Sequence, residues 1–284
     1  MQRKLHPLEG IVAMCALFLV LALTVGFAQA DELRKVHLRS AAFLVQDADS
    51  GEIYLNKNSE AVVPIASITK LMTAMVTLDR GLDLQERVVI SSDDKDSIKN
   101  TRSRLRPGAV LSRGELMLLA LMSSENRAAH ALGRTYPGGL DSFVAAMNAK
   151  AAALGMSDSH FVDPTGLSSA NVSSARDLAK LVAAAHGYEV IRQDTTTDQA
   201  SVTLFGRKVA FRNTNGLVRA GRWDIGLSKT GYIREAGRCL VMRVRLASHD
   251  LIVVLLDSWG KQTRIGDANR IRKWLESSAA GRRT

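Results

Sequence analysis

Three short segments of this sequence carry residue types that can do chemistry together. The first is Ser67-Ile68-Thr69-Lys70. On a helix, residues three apart share a face, so Lys70 reaches the Ser67 hydroxyl. An amine beside a hydroxyl is a base beside a nucleophile, the pairing that acyl transfer through a serine ester needs. Leu71, Met72 and Met75 surround the amine with apolar side chains, which lowers the pKa of a lysine. A serine at a helix start also meets unpaired backbone N–H groups and the positive end of the helix dipole. The spacing alone is weak, because it recurs at Ser92-Lys95 and Ser258-Lys261. Ser92 lies in an acidic polar run with nothing to exclude water. Ser258 sits where the chain turns at Trp259-Gly260. Ser67 alone stands between an apolar approach, Val62 to Ala66, and an apolar helix. The competing role for the pair is a helix-capping serine with a lysine reaching out to water.

The second segment is Ser124-Glu125-Asn126. A hydroxyl and a carboxamide on alternate residues of a tight turn can face the same way, one relaying a proton and the other holding an amide. Ser169-Ala170-Asn171 repeats the pattern in a serine-rich loop, and the rigid support of a buried helix favours Ser124. The third is Lys229-Thr230-Gly231, on or entering a strand and followed by Tyr232. Its cation and hydroxyl suit a carboxylate. Its glycine lets a substrate backbone come close. Taken singly, helix capping and a β-turn explain the second and third segments.

The elements that must position these residues can be read from periodicity. Ala42 to Asp47 and Glu52 to Leu55 form an opening hairpin. Ser67 to Leu78 is helical. Ser91 to Arg104 is a polar excursion. Leu116 to Met122 is unbroken apolar sequence, so Arg113 to Met122 is a fully buried helix. A further helix runs to about Gly133, and others span Asp141 to Leu154 and Ala175 to His186. Asp163 to Gly166 is a turn. Val202 to Phe211 is a hairpin centred on Gly206-Arg207-Lys208. Leu240 to Ala247 and Leu251 to Leu256 form another, and Ala268 to Ser277 is a closing helix. Strands at both ends with helices between imply an α+β domain whose sheet joins the termini.

The first thirty residues read as an export signal. Arg3 and Lys4 precede the apolar stretch Ile11 to Phe27, and Ala28-Gln29-Ala30 supplies small residues for cleavage after Ala30. The competing reading is an uncleaved anchor, though the stretch is at the short limit for a span. Residues 31–40 form an N-terminal segment, 41–278 the catalytic domain and 279–284 a tail. Cleavage would remove Cys15 and leave Cys239 alone, so no internal disulfide is expected. Cys239 lies in an apolar strand and reads as a small buried hydrophobe. The formal charge is +10, which suits an anionic polymer and peripheral association with membrane or wall. Nucleic acid is disfavoured by export and by an aromatic content of 5%. The six histidines show no paired metal-ligand spacing, and no metal or other cofactor is expected; His130 reads as structural.

The order Ser-x-x-Lys, Ser-x-Asn, Lys-Thr-Gly is the signature set of the penicillin-binding proteins and serine β-lactamases. Local stretches agree, among them Leu121-Met-Ser-Ser-Glu-Asn-Arg-Ala-Ala129 and Phe161-Val-Asp-Pro-Thr-Gly-Leu-Ser168. From about Ala41 to the final helix the chain resembles the low-molecular-mass D,D-peptidases of family S11. Within them it looks most like the penicillin-binding protein 7 branch, the D-alanyl-D-alanine endopeptidases. The resemblance implies the DD-peptidase/serine β-lactamase-like fold, an antiparallel sheet flanked by helices with an all-helical subdomain. It implies Ser67 as the acylated nucleophile, Lys70 as its base and Ser124 as proton relay. It implies that Asn126, Lys229, Thr230, Gly231 and Tyr232 bind substrate, with the backbone N–H groups of Ser67 and Tyr232 as oxyanion hole. The substrates are then peptidoglycan stem peptides in the periplasm, and β-lactams are covalent inhibitors. Arg127 departs from the Ser-x-Asn-Asp of many carboxypeptidases in the family. The residues after Gly231 are used up by two strands and a helix, which leaves no further domain. A D-alanyl-D-alanine carboxypeptidase is the alternative reading. A class A β-lactamase would need a Glu-x-x-Leu-Asn segment, where this chain has Asp163-Pro164-Thr165. A non-catalytic wall-binding or β-lactam-sensing module would show a broken motif, and none is broken.

Overall fold

The computed structural model describes residues 36–246 and 249–281, with side chains through Ser277. The expected export signal, residues 1–30, lies outside the described residues. Contacts divide the chain into Met1–Leu38, of which residues 36–38 are described, and Arg39–Thr284, which holds every element below.

β1 (Ser40–Asp47) and β2 (Ile53–Lys57) form the opening hairpin. After β3 (Val63–Pro64) the chain passes through a 3-10 turn, Ala66–Ile68, into α1 (Thr69–Asp79). Ser67 therefore sits one turn before the regular helix, not at its first position. Ala66, at the head of that turn, has φ +47, a left-handed conformation. β4 (Arg87–Val89) and β5 (Val110–Ser112) are a short ribbon flanking the polar excursion.

α2 (Arg113–Met122) has the bounds its apolar run predicts. A reciprocal pair opens it: Ser112 Oγ accepts from Glu115 N at 3.0 Å, and Glu115 Oε2 accepts from Ser112 N at 2.7 Å. α3 (Asn126–Arg134) and α4 (Gly139–Ala153) follow. β6 (Val172–Ser173) pairs with β3, and α5 (Ala175–His186) has the predicted bounds. α6 (Glu189–Thr196) is a further helix, masked in the sequence because it buries only Ile191 and Thr195.

β7 (Gln199–Leu204) and β8 (Arg207–Arg212) make the next hairpin. Its turn is Phe205-Gly206, not Gly206-Arg207-Lys208. Both turn residues have positive φ, as a two-residue hairpin turn requires, and Arg207 already pairs with Leu204. A short α7 (Gly216–Ala220) leads to β9 (Asp224–Ile233), β10 (Gly237–Leu246), β11 (His249–Ser258) and α8 (Thr263–Gly281).

Five strands form one antiparallel sheet in the order β2-β1-β11-β10-β9. The first and last strands of the domain are thus neighbours. Leu251 to Leu256 are each at most 1% exposed, so β11 is covered on both faces. α5 and α8 contact β10 and β11, while α1 to α4 pack chiefly on one another. β9 is an edge strand, and it is the strand that meets the 3-10 turn carrying Ser67.

Candidate active site

The 3-10 turn and α1 together present Ser67 and Lys70. Lys70 Nζ donates to Ser67 Oγ at 2.8 Å, to Asn126 Oδ1 at 2.8 Å and to the Thr165 carbonyl at 2.6 Å. Lys70 is 1% exposed, so it does not reach out to water. Ser67 does not cap α1, whose first residues have no side-chain cap. Burial holds the Lys70 ammonium down at about 7, against the opposing pull of Asp163, Glu125 and Asp96. That value has a geometric consequence. A neutral amine has two N–H bonds and one lone pair. The Thr165 carbonyl and Asn126 Oδ1 can only accept, so they take the two N–H bonds. The lone pair is left facing the Ser67 hydroxyl.

The break between α2 and α3 supplies the next groups. Ser124 has φ +59, which swings its side chain out of the helical path. Lys229 Nζ, on β9, donates to Ser124 Oγ at 3.0 Å and to the Thr230 carbonyl at 3.0 Å. Glu125, not Ser124, caps α3 by accepting from Arg127 N. Asn126 spans two contacts: Oδ1 takes Lys70, and Nδ2 donates to Thr101 Oγ1 at 3.0 Å. Each end of the carboxamide keeps one further hydrogen-bonding position. Lys229 is 1% exposed, and burial, the Lys70 charge and Arg264 hold it well below an ordinary lysine.

The motif on β9 faces the same cleft, whose volume is about 430 Å³. Thr230 Oγ1 lies 2.6 Å from Thr214 Oγ1. A Cβ on Gly231 would sit 2.9 Å from the Ile65 carbonyl oxygen and 3.2 Å from Ser67 N. The strand can approach the serine's turn only because that side chain is missing. Tyr232 is 56% exposed at the cleft mouth. Ser67, Ser124, Asn126, Thr230, Gly231 and Tyr232 line one cleft, and Lys70 and Lys229 lie buried behind it.

The motifs leave out several lining residues, among them Arg264, Thr101 and Thr214. Arg264, at the start of α8, donates from Nη1 to the carbonyls of Gly231 at 3.1 Å and Cys239 at 3.0 Å. Its Nε is buried without a partner. Thr101 and Thr214 come from irregular segments. Thr101, Thr214 and Arg264 belong to none of the three motifs.

The remaining candidates have structural work. Asn171 Nδ2 donates to the Asp163 carbonyl at 2.9 Å, and its Oδ1 accepts from Val162 N at 2.6 Å. Asp163 itself is saturated: Oδ1 accepts from Thr165 N, Thr165 Oγ1 and Gly166 N, and Oδ2 from Ser168 N and Asn171 Nδ2. Ser258 Oγ is tied to Ser40 Oγ at 2.7 Å, and Ser92 lies exposed in a 3-10 turn. His130 bonds Asp94 at 2.8 Å. Arg127 donates to the Leu105 carbonyl at 2.8 Å, which ties the polar excursion to α3. Cys239 is buried, its thiol pushed up to about 11.

Known proteins are similar to this chain in sequence and fold. A D-alanyl-D-alanine endopeptidase of Pseudomonas aeruginosa is 48% identical over 242 residues, covering 84% of this chain and 78% of the relative. One of Escherichia coli is 44% identical over 252 residues, covering 88% and 81%. The crystal structure of the Streptomyces K15 DD-transpeptidase matches with a TM-score of 0.78 at 26% identity, covering 84% of this chain and 98% of that one. Residues 28–260 match the peptidase S11 family, described as D-alanyl-D-alanine carboxypeptidase. With that match spanning most of its length, this chain belongs to peptidase family S11.

Proposed function

We propose that this chain is a serine-type D-alanyl-D-alanine endopeptidase that opens peptidoglycan cross-links through an acyl-enzyme on Ser67. The observation that carries the reading is a fully buried lysine, held near neutrality, 2.8 Å from the serine hydroxyl. Neutral Lys70 takes the Ser67 proton as Oγ attacks the D-alanyl carbonyl carbon. The oxyanion forms beside the backbone N–H groups of Ser67 and Tyr232. The C–N bond then breaks, and the proton taken up by Lys70 passes through the Ser124 hydroxyl to the departing amine, which returns Lys70 to its neutral form. Lys229 orients Ser124 and adds positive potential, Thr230 holds the substrate carboxylate, and Asn126 holds the peptide amide. Water next cleaves the Ser67 ester, with Lys70 again as base. β-Lactams acylate the same oxygen. Asp163, with its lone pairs occupied, is no base for the deacylating water, so the penicilloyl ester persists. The relatives' shared name supports endopeptidase over carboxypeptidase action. Export by a cleaved signal, Met1 to Ala30, places the enzyme in the periplasm, where its basic surface favours the anionic wall.

Digestion of purified sacculi tests the leaving amine. The expected result is conversion of cross-linked dimers into monomers. Release of free D-alanine with dimers intact would make the enzyme a carboxypeptidase instead.

A further inference from the structure

The catalytic cleft does not end at Tyr232. Tyr232 and Arg234 also line a second open cleft, of about 390 Å³, with Arg238, Trp259 and Lys261. It forms where the β9–β10 turn meets the end of β11. Trp259 is 88% exposed. A large apolar side chain left in water contributes little to packing, so packing does not account for it. The Arg238 guanidinium lies 4.5 Å over the Tyr232 ring and fixes its plane. Among the described residues no carboxylate is ion-paired with Arg234, Arg238 or Lys261, and the neighbouring Glu235 is taken by Lys99. Asp257 is the one carboxylate in the lining. The floor is stiff: Gly237, Asp257 and Gly260 all hold left-handed φ, and a side chain on Gly237 would collide with Asp257. The Arg238 charge, after burial, also helps hold Arg264 below its ordinary range, a repulsion that a bound anion would relieve.

We infer that this cleft is an extended subsite for the disaccharide-peptide body of the wall fragment, with stem carboxylates on Arg234, Arg238 and Lys261 and a sugar ring on Trp259. The inference rests on the peptidase reading above, because the ligand is the part of the substrate beyond the reacting D-alanine. The reach fits. Arg234 opens the turn after β9, three residues past Gly231 and so at most roughly 10 Å from it, about three peptide residues from the scissile bond. The charge fits as well, three cations with no carboxylate partner among the described residues against the ionised carboxylates of a stem peptide. A flat exposed indole offers a stacking face for the C–H side of a sugar.

The test compares Trp259→Ala and Lys261→Gln with the unaltered enzyme on three probes. These are cross-linked dimers released from sacculi by a muramidase, the same peptide dimers without sugar, and benzylpenicillin. Lys261→Gln is expected to raise KM about fivefold to tenfold on both dimers. Trp259→Ala should raise KM similarly on the sugar-bearing dimer alone. Acylation by benzylpenicillin, too small to span the second cleft, should change less than twofold. Unchanged KM on both dimers would overturn the inference. So would a parallel loss of penicillin acylation, which would mark these residues as structural. Failure of the unaltered enzyme to take up penicillin would instead sink the peptidase reading.

Discussion

Replacing Ser67 with alanine is expected to lower kcat/KM on cross-linked peptide by on the order of 10⁴-fold or more, and to abolish labelling by penicillin. In the proposed mechanism this hydroxyl becomes the ester, because it is the one paired with Lys70. Ser124 is the nearest other serine in the cleft, yet its Oγ is bonded to Lys229, not to Lys70. Stability should move little, because Ser67 makes a single side-chain hydrogen bond in a part-buried setting. A lost bond of that kind is worth about 1 kcal/mol. Thermal unfolding within a few degrees of the unaltered enzyme would separate loss of chemistry from loss of fold. Penicillin labelling above a tenth of the original would mean that another residue is acylated.

Lys70→Met is the second large effect, a fall in the acylation rate of about 10²–10⁴-fold, the usual worth of a positioned general base. In the unaltered enzyme the rate should rise with pH through about 7 and then level, as the buried ammonium gives up its proton. The variant should lack that rise. Stability carries a second signature. The folded-state pKa is depressed, so between about pH 7 and the ordinary lysine value the unfolded chain binds more protons than the folded one. The unaltered enzyme therefore gains stability as pH rises across that window, and loses it as pH falls toward 7. Lys70→Met removes this contribution, and it leaves Lys229 only the lowering due to burial and Arg264. Melting temperatures of the two proteins, followed from pH 7 to 10, should shift in favour of the unaltered enzyme as pH rises. A rate profile flat from pH 5 to 9 would contradict the assignment of Lys70 as base.

Much of this site was legible because its chemistry lies in local spacing. Ser67 and Lys70 share a helical face, and Lys229 to Gly231 are consecutive on one strand. α2 and α5 were readable to the residue, since their apolar periods run uninterrupted between good caps. What the spacing did not carry depends on long-range geometry. Arg264 reaches the Gly231 carbonyl because α8 packs by the β9–β10 pair, and nothing in Lys-Gln-Thr-Arg announces that contact. Thr101 meets Asn126 from an irregular excursion whose course is set by Asp96, which accepts from both the backbone and the hydroxyl of Thr101. The left-handed Ala66 is likewise invisible, since alanine normally favours a right-handed helix. It is held by its surroundings: Gly166, itself at φ +77, lies so close that any side chain there would strike the Ala66 carbonyl. Asn171 mimicked a catalytic motif because buried turns and active sites both need carboxamides that bond in two directions.

The most direct measurement is the fate of benzylpenicillin on the unaltered enzyme. After brief exposure and removal of free drug, intact mass should rise by one penicilloyl group. Peptide mapping should place it on the segment containing Ser67, and the adduct should persist for many minutes at pH 7. A label on another residue would contradict the account of the nucleophile. An adduct lost within seconds, with steady penicillin turnover, would contradict the saturated Asp163 and make this chain a β-lactamase.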